Sequence, residues 1–279
     1  MSFKTILVHL DAGARCAART DLAIALGGRH GGHLVGLAPT GLPDVLATMS
    51  GAVPDGVEFI ALSARFLRER AQGLASAFDA QVRAAGTLLH EARVAVGDPL
   101  DSVVRQALCA DLVVVGQTDR SASPDGVAWD FPQQVVLQGG CPVLVVPYAG
   151  DFSAVGTRVM VAWKGTREAA RALRDALPVL KTAERVVVVE VADEPVPQGA
   201  DVGLREVQAW LARHGIAAEI RVDAGAADAG DVLLSRAADL GSDLIVMGAY
   251  GHSRMREWVL GGVTRHLLDH MTVPTLLSH

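Results

Sequence analysis

A chain of 279 residues, half of them apolar and a fifth charged, carries enough hydrophobic material for two cores of roughly 140 residues each, which excludes a disordered protein. A net charge of −6 with no basic stripe leaves nothing to drive counterion release from a phosphate backbone, so no nucleic acid partner is expected. No run approaches the ~20 apolar residues of a membrane span, and the opening MSFKTILVHLD holds no signal-type apolar core; a cytoplasmic protein without membrane contact is expected. Cys16, Cys109 and Cys141 form no metal spacing and leave one thiol unpaired, as in a reducing compartment.

The first predicted strand is ILVHLD, Ile6 to Asp11, followed by a small-residue turn and an alanine-rich helical segment. An insertion at about 42–86 places Phe59, Leu62, Phe66, Leu74, Phe78 and Val82 near helical spacing, which predicts one long amphipathic helix packed on the domain. Asp111-LVVVG-Gln117 is uniformly apolar and β-branched, as expected of a parallel strand covered on both faces, and Pro142-VLVVP opens another strand. Tyr148 to Thr157 reads as a linker. Beyond it, strands are predicted at about 158–163, 185–192, 217–222, 243–247 and 273–278, and helices at about 167–181, 201–214, 230–240 and 259–271.

The two halves repeat one another. Asp111-LVVVG returns as Asp243-LIVMG and Pro142-VLVVP as Pro274-TLLSH, each at an offset of 132 residues, and ILVHLD parallels VMVAWK, Val159 to Lys164. A repeat of that length is a duplicated domain. Strand and helix alternation with right-handed crossovers then gives an α/β protein of two tandem, doubly wound, mainly parallel sheets, with residues 1–150 forming one domain and 151–279 the other.

In an open parallel sheet, ligands bind beyond the carboxyl ends of the strands. Gly248 and Gly251 fall there after the fourth strand of the second half, and Gly261-Gly262 open the last helix, whose first N–H groups have no helical partner. The helix dipole adds about half a positive charge at that point, so the four glycines form a candidate phosphate cradle, with Thr264 one turn in as a hydroxyl donor. The alternative is that the glycines only make a tight connection. The repeat acts as a control: at the 132-residue offset Gly248 keeps Gly116, whereas Gly251 becomes Asp119, Gly261 becomes Trp129 and Gly262 becomes Asp130. Two carboxylates there would repel a polyphosphate, so the anion site is expected in the second half alone.

Other constellations carry less. No G-x-G-x-x-G follows a strand, and there is no Walker sequence and no G-x-S-x-G elbow. His266 and His270 lie four apart on the last helix, but histidines near a helix C-terminus are already favoured by the dipole, and no metal site is expected. His252, inside the glycine loop, is a candidate donor to a phosphate oxygen or an exposed loop residue, and Arg254 and Arg256 read first as exposed loop arginines, with charge compensation the alternative. Asp119 and Asp130 have no nucleophile or matched base nearby, so no catalytic residues are assigned.

The segment from Gly248 to Leu268 resembles the universal stress protein family, whose nucleotide-binding members carry glycine, two residues, glycine, nine residues, glycine, then serine or threonine. Gly248, Gly251 and Gly261 match that spacing, and Gly262 replaces the hydroxyl residue. The strand context repeats over the whole chain, similar to the tandem type. The resemblance implies five-stranded flavodoxin-like or Rossmann-like sheets whose halves pair through their last strands as an intramolecular pseudo-dimer, with a further homodimer or a protein partner open. It also implies a cytoplasmic stress-response protein whose second domain binds an adenine nucleotide, ATP or AMP, for regulation, with at most slow hydrolysis; magnesium is left open. Family members that bind ATP have an aspartate at the end of the first strand, where the second half has Lys164 and the first half has Asp11. Lys164 is accordingly a candidate partner for a phosphate or a carboxylate. Two other readings remain: a scaffold that binds no nucleotide, and an enzyme acting on a small anionic metabolite.

Overall fold

The apolar β-branched runs become buried strands because a sheet covered on both faces by helices leaves no solvated side. The computed structural model describes residues 2–41, 56–86, 88–119, 128–152, 155–192, 202–224, 228–251 and 262–279. By its contacts the chain divides into two units, residues 2–141 and 142–279.

In the first unit, chain order runs β1 (Thr5–His9), α1 (Cys16–His30), β2 (His33–Pro39), α2 (Gly56–Ala85), β3 (His90–Ala95), α3 (Pro99–Ala107), β4 (Leu112–Gly116) and α4 (Phe131–Gln138). The sheet order is β3-β2-β1-β4, and its pairs are parallel. Ile6 and Val8 of β1, Leu34 and Leu37 of β2, and Leu112, Val113, Val114 and Val115 of β4 are almost wholly buried.

The second unit opens with β5 (Val143–Val146) and continues β6 (Arg158–Trp163), α5 (Arg167–Asp175), α6 (Leu177–Leu180), β7 (Arg185–Ala192), α7 (Val202–Arg213), β8 (Ala218–Ala224), α8 (Ala229–Asp239), β9 (Leu244–Gly248), α9 (Gly262–His270) and β10 (Thr275–Ser278). Its order is β5-β10-β9-β6-β7-β8. The strands from β10 to β8 are parallel to one another, whereas β5 runs antiparallel to β10, Thr275 facing Val145. The orders β3-β2-β1-β4 and β8-β7-β6-β9 are the same, which is the repeat seen in the sequence.

Several expectations are refined. Pro142-VLVVP, placed by sequence at the end of the first half, is β5; its hydrogen bonds to β10 draw it into the second unit, so the contact boundary falls after Cys141. The helix anticipated at 167–181 is two pieces, because Pro178 lacks the N–H that would continue the helix beyond Asp175. The inserted helix is α2, and residues 42–55 lie outside the described part of the chain. Its packing is one-ended: Phe78 and Val82 are buried, Leu74 is half-buried, and Leu62 and Phe66 are each 65% exposed instead of facing the domain. The Phe59 side chain is outside the described residues. Among the described residues no helix is long and apolar enough to cross a membrane.

The aspartate that opens each repeated strand has a structural task. Asp111 Oδ2 accepts from the backbone N–H of Lys4 at 2.7 Å and of Thr5 at 2.9 Å. Asp243 does the same for β6, its Oδ1 accepting from Gly156, Thr157 and Arg158 at 2.9 to 3.0 Å. Each carboxylate fixes where its strand, β1 or β6, enters the sheet.

Candidate functional site

In the second unit β6 and β9 lie side by side and parallel, yet the chain leaves β6 toward β7 on one side and reaches β10 from β9 on the other. Loops diverge at such a switch point, which opens a crevice beyond the strand ends. A cavity of about 270 Å³ occupies it. Trp163 and Lys164 from the end of β6, Gly248, Tyr250 and Gly251 from the end of β9, and Gly262 and Thr264 from the start of α9 line its walls. Val189, Val191 and Leu233 supply an apolar side, and Asp228 the rim at the start of α8.

Five of the residues singled out by sequence therefore meet in one place: Lys164, Gly248, Gly251, Gly262 and Thr264. They do so for different reasons. A β-carbon at Gly248 would lie 2.3 Å from the Ala169 N and 2.4 Å from the Glu168 carbonyl carbon, so this glycine admits the first turn of α5 against β9. At Gly251 the β-carbon would meet Glu168 Oε2 at 2.8 Å and Thr166 Oγ1 at 3.4 Å. Gly262 is exposed, and a β-carbon there would have nothing within 4 Å, so its place at the cavity is open. Thr264 is buried and Lys164 exposed. His252, Arg254, Arg256 and Gly261 lie outside the described residues.

Two residues of the site escaped the sequence reading. Glu168 is 4% exposed, sits in the first turn of α5 behind the N-cap Thr166, and receives a hydrogen bond from Arg167. Burial pushes its carboxyl up, but bonds from Arg167, its own backbone N–H and Thr166 outweigh burial and hold it below the ordinary glutamate value. A fixed negative charge thus stands behind Gly251. The available signal was the T-x-E sequence at a helix start, where a carboxylate complements the dipole. Tyr250 holds φ at 58°, the left-handed region that side chains other than glycine rarely enter. Its ring meets His279 edge-on, with centroids 6.4 Å apart.

In the first unit one of its own side chains lies over the corresponding glycine. A β-carbon at Gly116 would lie 2.3 Å from Arg19 Nη1. Arg19 is 2% exposed; its Nε donates to the His9 carbonyl at 3.1 Å and its Nη2 to Asp11 Oδ2 at 2.7 Å. Burial raises the Asp11 carboxyl, and Arg19, His9 and the Gly13 N–H together bring it below its ordinary value. Asp11 is therefore engaged by Arg19. At the mouth of α4, Asp130 accepts from Gln134 Nε2 at 2.8 Å, so a carboxylate stands where the second unit has Gly262.

Fold and site together define a doubly wound α/β protein whose second unit carries a ligand-sized crevice at its switch point. Residues 157–279, which lie in the second unit, match the universal stress protein family. A universal stress protein of Synechocystis sp. is 25% identical over 170 residues, which are 60% of this chain and 57% of the relative, so the match spans little more than half of that protein's length. The crystal structure of a universal stress protein from Archaeoglobus fulgidus aligns with 99% of this chain and 97% of its own at a TM-score of 0.68 and 18% identity. A functionally unknown protein from Pseudomonas aeruginosa aligns with 99% of this chain and 92% of its own at a TM-score of 0.58 and 14% identity. These two likenesses speak for the fold.

Proposed function

We propose that the second unit binds one adenine nucleotide, ATP or AMP, in the crevice between β6 and β9, and that occupancy regulates a cytoplasmic stress response. The observation that carries this reading is the contrast between the two units. Lys164, Gly251, Gly262 and Thr264 surround an open cavity in the second, whereas Arg19 and Asp11 close on each other in the first. In the proposed mode the nucleoside lies against Trp163, Val189, Val191 and Leu233, and the phosphate reaches the first-turn amides of α9, which have no partner within the helix. Lys164 supplies the positive charge, and Thr264 a hydroxyl donor. At about 270 Å³ the cavity is near the lower limit of ligand pockets, roughly 300 Å³, so the nucleoside fills it and further phosphates extend outward. No residue is assigned a catalytic role.

A scaffold reading has one observation of its own, the 65% exposure of Leu62 and Phe66 on α2, a face suited to a protein partner. Mass spectrometry of the natively purified chain separates the readings. One retained adenine nucleotide per chain is expected; an empty chain that also fails to take up added ATP would overturn the proposal in favour of the scaffold, and a different small anion in favour of an enzyme acting on it.

A further inference from the structure

We propose that Asp228, Asp231 and His266 form a site for a first-row divalent transition metal on the second unit. One donor atom from each lies within 4.8 Å of the others, and they come from two elements: the N-cap and first turn of α8, and the middle of α9. His266 Nε2 and Asp231 Oδ1 are 2.8 Å apart, close to the ~3 Å that separates neighbouring donors on an ion held at about 2.1 Å.

Capping alone would account for the carboxylates, since Asp228 Oδ1 accepts from the Gly230 N–H at 2.8 Å. The repeat shows what capping leaves unexplained. The first unit has the same pair, Asp98 capping α3 and Asp101 in its first turn, but no histidine: the 132-residue offset puts Gln134 opposite His266, and Gln134 bonds to Asp130 instead. The second unit also gives up a side chain to admit the imidazole. A β-carbon at Gly230, the second residue of α8, would lie 2.6 Å from His266 Cδ2 and 2.9 Å from Asp228 Oδ1, whereas the first unit has Leu100 at the matching place after its cap. Glycine within a helix is unfavourable relative to any ordinary residue, so a notch there that meets both the ring and the capping carboxylate is a separate observation that places the two donors side by side. His270 holds the backbone beneath it, its Nδ1 donating to the His266 carbonyl at 2.9 Å.

One imidazole nitrogen with two carboxylate oxygens suits manganese or zinc better than magnesium or calcium, which take oxygen alone. Three protein donors leave coordination positions open. Because Asp228 also lines the cavity, an ion here stands at its rim. The site does not depend on the nucleotide reading, and its test uses none.

Manganese(II) is titrated into the full chain without nucleotide, free ion being followed by its electron paramagnetic resonance signal and bound ion by spin-echo modulation from ¹⁴N. One saturable ion per chain with imidazole nitrogen modulation is expected. His266→Gln should abolish the modulation and weaken binding at least about tenfold, Asp231→Asn should weaken it similarly, and Asp101→Asn, in the first unit, should change neither. Absence of saturable binding, binding without nitrogen modulation, or modulation that persists in His266→Gln would overturn the site. Circular dichroism of each variant keeps loss of binding distinct from loss of fold.

Discussion

A β-carbon added at Gly248 would sit 2.3 Å from a backbone nitrogen of α5, whereas one added at Gly262 would meet nothing. Two glycines of one motif thus answer to different demands, the first to packing and the second to an open cavity. Gly248→Ala is expected to cost about 3 kcal/mol in urea unfolding, because neither backbone can move far, while Gly262→Ala, at an unobstructed helix start, should be neutral or stabilise by up to about 1 kcal/mol. Equal costs for the two would contradict this assignment. That five predicted residues converge was legible because strand ends in a parallel sheet share one edge. The reason for Gly248 was not, since it depends on how closely α5 approaches β9. Nor was the closing of the first site: Arg19 reads as one charged residue in an alanine-rich helix until it is seen over Gly116. The buried Glu168 and the left-handed Tyr250 likewise arise from tertiary contacts and a local φ that residue types do not announce.

At the scale of elements, β6 and β9 were readable almost to the residue, because short, mostly apolar runs bounded by turn residues suit strands buried on both faces. The partner of β5 was not readable from periodicity, since an apolar strand carries no mark of which strand it will join. The exposed start of α2 shows the same limit: helical spacing gives the apolar stripe but not the length that is covered. The aspartates of the repeat, first noticed only as landmarks, prove to anchor β1 and β6 through backbone N–H groups. Asp243→Ala leaves three such donors without their carboxylate partner, and charge-assisted bonds are worth about 1.5–3 kcal/mol each with partial compensation by water. A loss on the order of 3 kcal/mol is expected in chemical denaturation. A loss below about 1 kcal/mol would mean that the anchoring is dispensable.

Across the whole molecule, duplication has produced two sets of strands in one order whose switch points have diverged. In the first, a buried guanidinium and a carboxylate satisfy each other; in the second, lysine, threonine and helix amides surround open space. The match to the universal stress protein family, over residues 157–279, falls on the unit with the open crevice. Gly251→Asp brings into that crevice the residue type found at the matching place of the first unit, beside the carboxylate of Glu168. Equilibrium titration of labelled ATP against the wild-type chain and Gly251→Asp is the most direct test of the asymmetry. One site per chain in the wild type, weakened at least about tenfold in the variant, is predicted from like-charge repulsion; two equivalent sites, no binding, or unchanged affinity in Gly251→Asp would contradict it.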